Sequence, residues 1–132
     1  MKKVFVLVAV CCLAVVAALF SSCEKAQKSS YQYIVALDDT IEQDPSMCMQ
    51  FELNAMPVIM SEMKKTADQA SANSVIYKDT KTNADKRAKD AFASGIAKLR
   101  EGGIGSYKDL VVVLKALDND TNKWSVIDKV TL

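Results

Sequence analysis

The feature that most constrains this chain is an unbroken apolar run close to its N-terminus. Residues 4–20 carry no charged and no hydroxyl side chain, two lysines precede them, and polarity begins at Glu24. A positive start, an apolar stretch and small residues before a cut are the requirements of a secretory signal. The run of 17 residues falls short of the about 20 that a membrane-spanning helix needs. We therefore predict that residues 1–22 are a removed signal peptide, with an uncleaved signal anchor as the alternative.

The four residues at the end of this segment, Phe20-Ser21-Ser22-Cys23, resemble the lipobox of bacterial lipoproteins. The resemblance implies cleavage between Ser22 and Cys23, a diacylglycerol on the Cys23 sulfur and an acyl chain on the new amino group. It also implies attachment to a bacterial membrane, the outer membrane being favoured, with the domain in the periplasm or at the cell surface. No further cofactor is expected, and the rest of the chain resembles no domain family that we recognise.

Lipidation would change what the four cysteines can do. Cys11 and Cys12 would leave with the signal peptide and Cys23 would become a thioether, so Cys48 alone would keep its thiol. No disulfide could then form within the chain, although an exported protein is allowed disulfides. We expect the domain to be stable on its apolar core alone.

We divide the remaining chain into a tether at residues 23–30 and one domain at residues 31–132. Residues 31–37 are rich in strand-forming side chains and are predicted to be the first strand, and residues 74–78 a brief one. Near the C-terminus, residues 110–132 contain a continuous Leu/Val run, a polar turn and an alternating segment that starts at Trp124. This order predicts a hairpin with a buried central strand.

A regular helix is predicted between about residues 84 and 100, with Thr82 or Asn83 as its N-cap and Gly102-Gly103 as its end. Its apolar positions recur at helical spacing and make one face. The members of that face are Ala84, Ala88, Ala91, Phe92, Gly95, Ile96 and Leu99.

The segment at residues 45–72 leaves three structures open. Asp44 and Pro45 are a good helix start, and seven apolar residues then repeat at alternating spacings of four and three. These residues are Met49, Leu53, Met56, Met60, Met63, Ala67 and Ala70. Pro57 interrupts the pattern, so one kinked helix and two helices are both allowed. A strand followed by a helix is the third option, because Met47, Met49, Phe51 and Leu53 also alternate at a period of two.

Together these elements predict an α+β fold in two layers. One layer is a small antiparallel sheet made by the C-terminal hairpin and the N-terminal strand. The other layer is two or three helices packed on one face of that sheet.

Composition excludes several classes of function. The chain has no histidine, which removes the commonest general base and metal ligand and rules out Ser-His-Asp and Cys-His catalysis. The formal net charge is only +1 and its signs are interspersed, so we expect no nucleic-acid partner.

Three short motifs are candidate sites. Met47, Cys48 and Met49 offer thioether and thiolate ligands that suit Cu(I), although core packing is the better interpretation and our prediction is no metal. Ser61 and Lys64 match a Ser-x-x-Lys motif, whose partner motifs are absent. Thr40, within Asp39-Thr40-Ile41, resembles an O-glycosylation acceptor of some bacterial envelope proteins.

The anchor and the missing catalytic residues favour a small lipid-anchored envelope protein that acts by binding and is not an enzyme. Its partners would be the membrane, through Cys23, and another envelope protein or a small ligand. The alternatives are a copper-handling lipoprotein that uses Met47, Cys48 and Met49, and a small envelope hydrolase that uses serine, lysine or carboxylate side chains.

Overall fold

The computed structural model describes residues 28–132, which build one five-stranded antiparallel sheet with helices on one face. The α+β prediction is thereby confirmed. In chain order the elements are β1 (Ser29–Leu37), α1 (Pro45–Gln50), a π-helical segment (Phe51–Ala55), α2 (Met56–Thr66), β2 (Gln69–Ala70), β3 (Val75–Asp79), α3 (Lys81–Glu101), a short 3-10 turn (Gly105–Tyr107), β4 (Val111–Leu117) and β5 (Trp124–Thr131). The predicted signal peptide and lipidation site, Ser22 and Cys23 included, lie outside the described residues.

The strand order is β2-β3-β1-β4-β5, so β1 lies in the middle of the sheet. It begins at Ser29, two residues before the predicted start and inside the predicted tether, because Ser29 and Ser30 pair with Asp79 and Lys78. The predicted hairpin is present as β4 and β5, with β4 flanked on both sides and a register shift after Leu114. The two-residue strand β2 was not predicted.

Residues 45–66 form one continuous helix, named here the interrupted helix, which comprises α1, the π-helical segment and α2. The option of a strand over Met47 to Leu53 is wrong. Pro57 has no N–H to give to the carbonyl four residues earlier, and its ring crowds that carbonyl. A wider turn directly before it relieves this conflict, and the N–H of Met56 accordingly donates to the Phe51 carbonyl, five residues back.

The wider turn changes which side chains of the interrupted helix are buried. Met49 and Leu53, which were predicted to share the core face, are 63% and 68% exposed. Phe51, Ala55 and Ile59 are buried in their place. A π-turn holds about one residue more than an α-turn, so every side chain before it is rotated by roughly one position. The helix also ends at Thr66, and Ala67 and Ala70 therefore lie beyond it.

The helix α3 buries the face that its sequence predicts, from Ala84 to Leu99. Its N-cap is Thr80, because the backbone of Thr80 is extended and its side chain accepts from the N–H of Asn83. The predicted caps, Thr82 and Asn83, are already helical. Gly95 lets α3 approach α2 closely, since a Cβ at that position would lie 2.9 Å from the Ile59 Cα.

Within residues 28–132, no helix combines the length and the hydropathy that crossing a membrane requires.

Candidate functional site

The central strand β1 loses one of its two neighbours part-way along its length. Its pairing with β3 ends at Tyr33 opposite Val75, whereas its pairing with β4 continues to Leu37 opposite Val112. The chain leaves the sheet just before Val75, through a turn at residues 71–74 in which the Ser71 N–H donates to the Ser74 carbonyl. The last four residues of β1 therefore form an open strand edge on that side, and Tyr33 is the one residue of β1 that pairs with both neighbouring strands.

The open edge presents specific backbone groups. The Asp38 N–H donates to the Val111 carbonyl at 3.0 Å, so the backbone of Asp38, and by alternation that of Ala36, faces β4. The N–H and C=O groups of Val35 and Leu37 consequently face the other side of β1. Among the described residues no strand pairs with them there. Unpaired edge groups of this kind are a template for an added strand.

A cleft of about 450 Å³ lies beside this open edge. One wall is β1 at residues 34–36 and the other is the interrupted helix, and the turn after β2 closes one end. The side chains that line the cleft include those of Val35, Met56, Met60, Ser61, Lys64 and Asn73. Val35 and Met60 are nearly fully buried and make an apolar floor, whereas Ser61 and Lys64 are exposed at the rim.

Methionines give this cleft an adaptable wall. Met56 and Met60 are unbranched and polarisable, so they can repack around different apolar groups. Glu52 and Lys64 lie at the helical rim with opposite charges, and neither joins an ion pair among the described residues. The cleft therefore combines an apolar floor, backbone hydrogen-bonding groups and one charge of each sign, which is the chemistry that an extended peptide segment needs.

The buried tyrosines below α3 hold the fold together. The Tyr33 hydroxyl donates to Asp85 Oδ1 at 2.7 Å, and the Tyr77 hydroxyl lies 2.8 Å from the Thr66 hydroxyl. Burial raises the pKa of both Tyr33 and Tyr77, so both phenols remain protonated. Every one of these polar groups has a protein partner, which leaves none directed at a ligand.

Asp38 closes the loop that follows β1. Its Oδ1 accepts from the Thr40 hydroxyl at 2.6 Å and from the Thr40 N–H at 2.9 Å, while Oδ2 lies 3.2 Å from Lys129 Nζ. The hydrogen bonds from Thr40, with the nearby Lys129 ammonium, lower the pKa of Asp38 to about 2. Thr40 is exposed, but its hydroxyl is already engaged. Its O-glycosylation stays a prediction.

The structure spreads the candidate copper ligands around α1. Met47, Cys48 and Met49 are consecutive helical residues, so their side chains point about 100° apart. Met47 and Cys48 pack partly against the core, and Met49 points into solvent. Among residues 28–132, no group of three or more Cys, Asp and Glu side chains is placed to hold a metal ion. This arrangement does not favour a metal site at residues 47–49.

Ser61 and Lys64 lie one turn apart on α2, and both line the cleft. Both are exposed, and no hydrogen bond joins them in the described structure. In Ser-Lys catalysis the amine must accept the proton of the hydroxyl, which requires the two groups to be within hydrogen-bond reach. Ser61 and Lys64 therefore form part of the cleft rim, and their geometry gives the hydrolase interpretation no support.

Sequence reasoning missed the cleft itself. Its walls come from β1 and the interrupted helix, which are separated in the chain and meet only because of the way the sheet pairs. One signal was present: the predicted first strand, at residues 31–37, is longer than the predicted strand at residues 74–78. If these two strands pair, the longer one must extend past its neighbour.

Comparison with protein-family models, with characterised proteins and with solved structures finds no match to this chain.

Proposed function

We propose that this chain is a lipid-anchored protein of the bacterial cell envelope that binds an extended segment of another envelope protein and performs no catalysis. The observation that carries the binding role is the cleft beside the open edge of β1. Its unpaired backbone groups suit a chain in strand conformation, and Met56 and Met60 suit apolar side chains of that chain. The anchoring role rests on Phe20-Ser21-Ser22-Cys23.

The two roles lie at opposite ends of β1. The chain enters the sheet at Ser29, so an anchor at Cys23 would hold that end of the domain near the lipid. The open edge begins five residues later, which is ~17 Å along a strand at ~3.3 Å per residue. A partner segment would therefore bind at the end of β1 that is farther from the anchor.

Site-specific crosslinking in intact cells tests the binding role. A photoreactive amino acid replaces Lys64, which lines the cleft, and in a second strain it replaces Lys65, which faces away and pairs with Glu62. The two positions are adjacent on α2 and both are exposed, so they differ mainly in whether they face the cleft. We expect one recurrent envelope-protein adduct from position 64 and none from position 65.

Mass spectrometry of the same purified protein tests the anchor independently. An N-terminus at Cys23 that carries acyl chains supports it, and a retained Met1 or an unmodified Cys23 contradicts it. Equal adducts from positions 64 and 65, or none from either, would contradict the cleft as the binding site even if the anchor is present.

A further inference from the structure

We propose that the open face of the sheet lies against the lipid bilayer that holds the acylated Cys23. This inference rests on the anchor in the proposed function, and it names a second contact between the protein and the membrane. The open face is the side of the sheet opposite the helices.

Pairing shows which side chains the open face carries. Val112, Leu114 and Ala116 of β4 belong to the core under the helices, so the residues that alternate with them face the other way. Of these, Val113 is fully buried, whereas Lys115 and Leu117 are half-buried. Directly paired residues share a face, which places further side chains on the open face. These are Gln32, Ile34, Ile76, Lys78, Trp124, Val126 and Lys129.

The half of this face nearest the start of β1 is apolar and holds a tryptophan. Trp124 pairs with Leu117 and is 40% exposed, and Val126 pairs with Lys115 and is 48% exposed. Ile34 is half-buried on the same face, but Lys115 lies between it and Val126. The apolar patch therefore consists of Leu117, Trp124 and Val126. An exposed indole beside aliphatic side chains is the combination that settles at the boundary between lipid headgroups and acyl chains.

The charges around this patch are mostly positive. Lys78, Lys115 and Lys123 lie on or beside it, and none of them joins an ion pair among the described residues. The nearest carboxylates are largely engaged: Asp118 accepts from the N–H groups of Asp120 and Thr121, and Asp38 faces Lys129. Asp118 keeps its charge and is exposed at the turn together with Asp120, so three lysines face two carboxylates there. Such a cationic rim suits anionic headgroups.

The position of the patch relative to the anchor selects a bilayer as its occupant. The Asn119 side-chain amide donates to the Ser30 carbonyl at 2.9 Å, which holds the β4–β5 turn against the first residues of β1. Cys23 precedes Lys28 by five residues, so the acylated residue is at most ~18 Å away at ~3.5 Å per residue. With so short a reach, this end of the open face is kept beside the headgroups whenever the acyl chains are inserted.

Trp124 is the only tryptophan in the chain, so its native fluorescence reports on this surface without any mutation. The experiment uses the full chain as purified from membranes, with acylation at Cys23 verified by mass spectrometry. It is reconstituted into vesicles of phosphatidylcholine and phosphatidylglycerol, with and without brominated acyl chains. We expect Trp124 to emit at a shorter wavelength than tryptophan in water. We also expect brominated lipid to reduce its emission and acrylamide to quench it only weakly.

A matched control places the reporter on the helical side of the domain. In a Trp124→Phe background, Leu53→Trp puts the single indole at a position that is 68% exposed on the interrupted helix. We expect that indole to emit as in water and to be unaffected by brominated lipid. Circular dichroism of both proteins verifies that the fold is retained.

Each outcome decides between the two contacts. If Cys23 is acylated but brominated lipid does not affect Trp124 emission and acrylamide quenches it, the contact between the open face and the bilayer is contradicted. The anchor is then still supported. An emission shift without bromine quenching indicates that a second protein copy covers Trp124, which also contradicts the contact with the bilayer. An unmodified Cys23 overturns the anchor and, with it, this inference.

Charge reversal tests the cationic rim. The double variant Lys115→Glu with Lys123→Glu should reduce the quenching of Trp124 by brominated lipid, whereas Lys86→Glu with Lys89→Glu on α3 should not.

Discussion

Two helical stretches pack side by side on the same face of the sheet, yet only one of them keeps a uniform α-helical period. The helix α3 runs for 21 residues without irregularity, and its buried side chains are those that a period of 3.6 predicts. The interrupted helix contains a five-residue π-helical segment that ends two residues before Pro57, and two residues of its predicted face, Met49 and Leu53, are exposed. The difference shows how one proline can redirect a helix face without ending the helix.

The same difference produces the cleft. With the wider turn, the interrupted helix buries Phe51 and Ile59 and leaves Glu52 and Met56 beside the open edge of β1. The regular helix α3 covers the part of the sheet where β1 and β3 are paired, and the cleft there, beside Tyr31 and Lys81, is smaller at about 280 Å³. Four predictions test this contrast, from the largest expected effect to the smallest.

The exchange of buried positions in the interrupted helix is tested by a pair of substitutions. Phe51 is fully buried and packs edge-on against the Tyr107 ring, at 5.7 Å between ring centroids. We expect Phe51→Ala to lower the free energy of unfolding by about 3–5 kcal/mol, as loss of a buried aromatic ring does. Leu53→Ala should change it by less than about 0.5 kcal/mol, because Leu53 is exposed. Urea unfolding measures both, and a large loss for Leu53→Ala would argue for an uninterrupted α-helix.

The close approach of the two helices is tested at Gly95. A Cβ at this position would lie 2.8 Å from Ile59 Cγ2 and 2.9 Å from Ile59 Cα, so the backbones would have to separate. We expect Gly95→Ala to cost about 1–3 kcal/mol from overpacking, despite the better helix propensity of alanine. Gly102→Ala is the matched control, since its Cβ would meet no atom closer than 3.7 Å. Equal thermal midpoints for the two variants would contradict the close contact.

The start of the regular helix α3 is tested at its cap. The Thr80 hydroxyl accepts from the Asn83 N–H, so Thr80→Ala should lower the free energy of unfolding by about 1 kcal/mol. Thr82 lies inside the helix, and Thr82→Ala should leave stability unchanged or slightly improve it. Chemical unfolding of the two alanine variants compares them directly. A larger loss of stability for Thr82→Ala than for Thr80→Ala would indicate that Thr82 is the N-cap, as the sequence predicts.

The loop that leads into the interrupted helix should give the smallest effect, a dependence of stability on acid pH. The pKa of Asp38 is about 2 in the folded protein and ordinarily 3.8, so the folded state prefers the carboxylate. Its contribution is therefore complete above about pH 4 and is lost as the pH falls toward 2. Thermal midpoints measured across that range should drop less in Thr40→Val, which removes the hydroxyl donor. An identical acid profile for both proteins would show that Thr40 does not hold Asp38.

Most of the fold could be predicted because its signals are local. The spacing of Ala88, Phe92 and Ile96 identifies a helix face, and the alternation around Trp124 and Val126 identifies a hairpin strand. The predicted N-cap of α3, Thr82 or Asn83, is two or three residues away from the actual cap because Thr80, Thr82 and Asn83 are all good caps. Only the extended backbone of Thr80 selects among them.

The candidate site could not be predicted because it depends on pairing between distant segments. The open edge exists because β3 begins only at Val75, opposite Tyr33, while β1 continues to Leu37. The position of Met56 and Met60 beside that edge depends on how the interrupted helix rotates before Pro57. Neither relation is encoded by a short stretch of residues.

The sequence by itself determined the elements, because hydrophobic period, caps and turn residues act over a few neighbouring positions. The hypothesis of a lipid anchor at Cys23 likewise rests on the sequence alone, in the residues from Phe20 to Cys23. The tertiary structure decided which edge stays open and which apolar side chains remain exposed, Leu53 and Trp124 among them. The physical reason is that burial depends on strand register and helix rotation, and both are settled by packing over the whole domain.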